Sequence, residues 1–151
     1  MICKEYSDLT KDEQKLVDAS WKAQELSYSP YSKFKVGCSI LLENGEILFG
    51  ANQENASYPL CLCAERVALS YAAMHHPSVA IQSIAISTSA DLVANQLPAA
   101  PCGACRQVLF EYQSRQDADF EIILVGKDNK SWIYSSIKEL LPHTFDADFL
   151  D

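Results

Sequence analysis

Four residues of this chain combine type and spacing in a way that points to chemistry. Cys102 and Cys105 stand three apart in PCGACRQ (residues 101–107), and Cys63 and Glu65 stand two apart in CAE (residues 63–65). Two thiols are too few for zinc, because a structural site takes four protein ligands and a catalytic site takes three and leaves one position open. Cys63 would supply the third sulfur, giving the open arrangement. Zinc in such a site lowers the pKa of water to about 7, which makes hydroxide available at neutral pH. A proton carrier is then required. Glu65, two residues past Cys63, is near the metal without being the obvious fourth ligand. The competing reading, a redox pair at Cys102 and Cys105, leaves Cys63 and Glu65 unexplained.

The elements that must position these residues follow from periodicity and punctuation. TKDE (residues 10–13) has the capping-box form, and a helix follows it to about Ser27. SYSPYSKF is a turn-rich aromatic loop. KVGCSILL and EILFGAN read as strands around Glu43-Asn44-Gly45, a hairpin signal. A helix runs from Cys63 to His76 and stops at Pro77. IQSIAIST, FEIILVG and SWIYS read as further strands, GACRQVLFEYQS as a helix and SIKELL as a short one, with LVANQLPAAP a loop. Cys63 and Cys102 both begin helices, where free N–H groups and the dipole favour thiolate. Gly103 is expected to keep the turn between Cys102 and Cys105 uncrowded. The whole predicts a single α/β domain over residues 1–151, a three-layer α/β/α sandwich around a mixed sheet of about five strands.

Cys-x-Glu followed by Pro-Cys-x-x-Cys is the three-cysteine form of a known zinc deaminase signature. CAE and PCGACRQ, with FKVG (34–37), NQENASYP (52–59) and LLPHTF (140–145) in matching order, resemble the cytidine deaminases, specifically their small homotetrameric branch. The resemblance runs from about Tyr28 to Leu150. It implies one zinc per chain on Cys63, Cys102 and Cys105, with Glu65 shuttling protons. It implies ribose binding by Asn52 and Glu54, a pyrimidine pocket lined by Phe34, and a substrate-facing N–H on Ala64. Arg66 would hydrogen-bond the zinc thiolates, and Phe145 would reach a neighbouring subunit's site in a homotetramer. The implied reaction is hydroxide attack on C4 of cytidine or deoxycytidine, Glu65 carrying protons to N3 and to the leaving amine, as one step of pyrimidine salvage.

Three departures from the family pattern stand out. The loop SADLVANQLPAA is longer than expected, Cys61 replaces a residue that is often small, and Asp146 stands where glycine is common. Cys61 reads as a packing residue or bystander rather than an alternative ligand.

Composition narrows the partners. Twenty acids against twelve bases give a net charge of -8, which disfavours nucleic acid and anionic membranes as partners. The N-terminal residues lack a secretory h-region, and no segment approaches the roughly 20 apolar residues of a membrane span. The chain therefore reads as soluble and cytoplasmic, its partner a small pyrimidine nucleoside. Three alternatives remain: a deaminase of another nucleoside such as a blasticidin-type antibiotic, a zinc-stabilised binding module without catalysis, and a polynucleotide editor. The binding module needs no Glu65, and the editor would need a basic cluster.

Overall fold

The computed structural model describes residues 1–89, 97–126 and 128–150. A six-stranded sheet forms its middle layer, built from β1 (Ile2–Glu5), β2 (Val36–Leu42), β3 (Ile47–Ala51), β4 (Ile81–Thr88), β5 (Glu121–Val125) and β6 (Lys130–Tyr134). The spatial order is β1-β6-β5-β4-β2-β3. The β4/β5 pair is parallel and the remaining pairs are antiparallel, so the sheet is mixed as expected. The difference from expectation is the sixth strand. ICKE at residues 2–5 shows neither strict alternation nor burial, and it becomes a strand by pairing Ile2 with Ile133 and Glu5 with Lys130 at the sheet edge.

Strand alternation splits the core into two layers. Ile40, Leu42, Ile84, Ile86, Ile122 and Leu124 face α2 (Ala64–His75) and α3 (Gly103–Gln113). Leu41, Ala85, Ile123 and Val125 face α1 (Lys11–Ala23), whose Leu16 and Val17 are fully buried. The Thr10–Glu13 capping box forms as the sequence indicates, and α1 ends in a 3₁₀ turn, Gln24–Leu26. The β2–β3 hairpin turns on Gly45, whose φ of 85° is the left-handed conformation that glycine adopts without strain. SIKELL shortens to a 3₁₀ turn, Ile137–Glu139, started by the Ser136 cap on Lys138. Residues 97–101 have no regular structure, and the central part of the longer loop, 90–96, lies outside the described residues.

Gly50 decides how near α2 comes to the sheet. A Cβ there would stand 2.6 Å from the Ala68 nitrogen and 2.8 Å from the Ala64 carbonyl oxygen. The first turn of α2 therefore lies directly on β3. This brings Cys63, the N-cap of α2, to the sheet end where β3 and β4 finish and β2 begins.

Candidate active site

Two helix starts meet at that end. Cys63 caps α2, and Cys102 caps α3, with the Cys102 sulfur accepting from the Cys105 N–H at 3.4 Å. The sulfurs of Cys63, Cys102 and Cys105 lie within 4.8 Å of one another. Tetrahedral zinc with Zn–S bonds of about 2.3 Å places its sulfurs about 3.8 Å apart, so a small contraction would seat the ion. A hydrogen bond from the Cys105 thiol holds the Cys63 thiol down at about 5, with Arg66 adding to the effect, while that same bond and burial push Cys105 up. Cys63 is thus favoured as thiolate, the form that binds metal, with the Cys105 thiol donating to it. Gly103 has nothing within 4 Å of the place a Cβ would take, so crowding is not why glycine stands there.

Glu65 lies in the first turn of α2 and is 4% exposed. Burial raises its carboxyl pKa, and the charge of Cys63 raises it further. Arg66 donates from Nη2 to the Cys61 carbonyl at 2.9 Å and lies 3.9 Å from the Cys63 sulfur. Its buried Nε has no hydrogen-bond partner among the described residues. That orphaned donor beside a thiolate cluster fits a site built to hold more negative charge than one thiolate.

A cavity of about 520 Å³ opens onto this cluster. Cys63, Glu65 and Cys102 line it together with Phe34, Asn52 and Glu54. Ala64 and Cys105 are buried behind it, Ala64 as the first residue of α2, where the N–H has no intrahelical acceptor. Asn52 and Glu54, two apart after β3, do share one side. Their free valences differ. Asn52 Oδ1 accepts from Ser27 Oγ at 2.6 Å and from the Val36 N–H at 2.8 Å, while its Nδ2 donates to the Phe34 carbonyl at 2.9 Å. Asn52 therefore locks the Phe34 loop to β2 and keeps one amide proton in hand. The Oε2 atom of Glu54 accepts from the N–H groups of Tyr31 and Ser32 at 2.9 and 3.2 Å. The Ser32 side chain and these N–H groups hold its carboxyl below the ordinary range.

Phe145 is not brought to this cavity. It is exposed, its ring stacks on Phe149 at 5.7 Å, and its carbonyl accepts from Gln107 Nε2 at 2.7 Å. Ser32, Cys61 and Thr88 line the cavity and were not singled out as site residues. No strand alternation announced Ser32, which lies in a turn with Lys33 at a φ of 59° between it and Phe34. Cys61, far from an idle packing residue, also accepts from the Asn55 N–H at 3.2 Å.

Residues 10–117 match the family described as the cytidine and deoxycytidylate deaminase zinc-binding region. The chain belongs to that deaminase family. Among its curated relatives, the cytidine deaminase of Halalkalibacterium halodurans is 39% identical over 139 residues, covering 91% of this chain and 96% of the relative. The cytidine deaminase of Sporosarcina psychrophila is 37% identical over 140 residues, covering 92% and 95%. A crystal structure of cytidine deaminase from Burkholderia pseudomallei superposes with a TM-score of 0.76 at 36% identity, covering 91% of this chain and 100% of that one. The family's zinc-binding region contains both helix starts of this deaminase, and the three-cysteine cluster is the group of side chains in it that could hold the metal.

Proposed function

We propose that the protein hydrolyses cytidine and deoxycytidine to uridine and deoxyuridine with release of ammonia, as a zinc enzyme of pyrimidine salvage in the cytoplasm. The observation that carries this reading is the buried carboxyl of Glu65 on the wall of the cavity that Cys63 and Cys102 also line, with the Cys105 sulfur clustered behind them. Cys63, Cys102 and Cys105 would hold one zinc per chain, which would supply Lewis acidity and a water acidic enough to ionise near neutral pH.

The chain's own residues do the rest. Glu65 takes a proton from the water that adds to C4 and delivers it to N3 of the cytosine; it then takes the proton of the new C4 hydroxyl and gives it to the amine, which leaves as ammonia as the C4–N bond breaks and the C4 carbonyl forms. Its raised pKa suits a group that must hold a proton as well as accept one. Phe34 forms an apolar wall for the base. The Glu54 carboxylate and the remaining amide proton of Asn52 offer an acceptor and a donor to a sugar diol. The Ala64 N–H points a further donor from the helix start, and Arg66 balances the thiolates.

A free nucleoside fits better than a nucleotide. The described lining residues include Glu54 and Glu65 and no lysine or arginine to receive a phosphate. Phe145, exposed beside Phe149 and away from its own chain's cavity, is read as the contact to a neighbouring subunit's cavity in a homotetramer.

An ultraviolet assay with cytidine, run on the parent and on Glu65→Gln with metal content measured in both, tests the reading. We expect about one zinc per chain in each and loss of the cytidine spectrum with the parent alone, the variant being slower by about 10²–10⁴-fold or more. Near-parental turnover by Glu65→Gln would refute its role. Bound zinc with cytidine untouched would move the substrate to another aminated nucleoside or leave a binding module.

A further inference from the structure

Arg106 follows Cys105 directly, yet its guanidinium does not turn to the sulfurs. Its Nε donates to the Pro101 carbonyl at 2.9 Å, and its Nη1 donates to the Leu140 carbonyl at 3.1 Å. The first of these bonds has little company. Residues 98–101, which deliver the chain to Cys102, form one hydrogen bond among the described residues, and it is the one from Arg106. Pro98 and Pro101 lack an N–H, and no strand or helix encloses this stretch. Gln107, the next residue, ties the later chain independently by donating to the Phe145 carbonyl at 2.7 Å.

We propose that Arg106 is a positioning residue for the metal site: its guanidinium fork fastens the loop entering Cys102 to the chain at Leu140, and so fixes Cys102 relative to Cys63 and Cys105. This rests on the reading of the three cysteines as metal ligands. A planar fork with donors on separate nitrogens reaches two carbonyls at once, whereas a lysine head is a single point of charge. Without the tie, the loop entering Cys102 loses its hydrogen bond, and Cys102 is left with its cap bonds to α3, from the Cys105 N–H to its sulfur and from the Arg106 N–H to its carbonyl. Ligand sets loosened in this way release metal faster and lose activity without losing their fold.

The test compares the parent, Arg106→Gln and Arg106→Lys, with Arg115→Gln as a control. Arg115 lies farther along the chain, where it pairs with Glu111 and stacks over Tyr112. Zinc transfer to a chromogenic chelator and the thiolate-to-metal bands of the cobalt-substituted protein are the readouts, alongside kcat and KM for cytidine. Both Arg106 variants should release zinc about tenfold faster or more and show altered cobalt bands, with kcat falling and KM steady. Arg115→Gln should match the parent. Parental release rates and cobalt spectra in the Arg106 variants would overturn the proposal, whatever their melting temperatures. If Arg106→Gln does not fold, Arg106→Lys, which keeps the charge and the stem, carries the comparison. Because the readouts follow metal rather than turnover, a parent that holds zinc and ignores cytidine still decides the matter. A parent that binds no metal overturns both readings.

Discussion

Arg66 sits where charge has to be balanced. Three thiolates on a divalent zinc leave a net charge of about -1, which weakens a Lewis acid. Arg66 offers a guanidinium 3.9 Å from the Cys63 sulfur and a buried Nε with no other partner among the described residues. Replacing it with alanine should lower zinc affinity by about 10–100-fold, read by competition with a chelator, and should lower turnover with it. Unchanged affinity and rate would show that the two helix starts balance the charge alone. At this scale much of the site was legible, because Cys63, Cys102, Cys105 and Glu65 announce themselves by type and spacing. Asn52 was legible only in part. Its place on the cavity follows from its alternation with Glu54, but three of its hydrogen bonds go to Ser27, Val36 and Phe34, contacts set by a loop path that local sequence does not encode.

Gly50 and β1 show what elements add to residues. Gly50→Ala would drive a methyl group into the α2 backbone at Ala64 and Ala68. Overpacking of this kind costs about 1–3 kcal/mol, seen as a lower denaturation midpoint. Because the displaced turn carries Cys63 and Glu65, metal content and turnover should fall along with stability. A variant with reduced stability but full zinc and parental kcat would mean that the helix yields farther along its length. Strands β2 to β6 and the helices were readable from alternation, capping and proline stops. β1 was not, because its four residues are mostly exposed and its reason for being extended lies on β6. SIKELL failed as a helix for a related reason: one turn of good helix formers, ending at Pro142, is too short to propagate.

At the scale of the molecule, the proposed metal site joins two helix starts that are far apart in the chain. Cys63 caps α2, and Cys102 and Cys105 lie at the start of α3, with β4 between the two helices in the chain. Stripping the metal should therefore lower the melting temperature of the whole protein, and restoring zinc should recover it. Free zinc at a thousandfold over Kd would contribute about 4 kcal/mol to the folded state. An unchanged melting curve after complete removal would show that the two helix starts are held by packing without help. The acidic excess, twenty acids to twelve bases, needs no site of its own and reads as a solvated surface.

The edge strand has a consequence for the order in which the molecule assembles. Ile2 pairs with Ile133, so β1 is made well before β6, the strand that gives it a partner. Cys63, Cys102 and Cys105 all emerge before β6 does. The three clustered cysteines are thus all present in the growing chain while the sheet is still open on that side. The β1–β6 pairing joins residues about 130 apart in the chain, the kind of long-range contact that forms slowly.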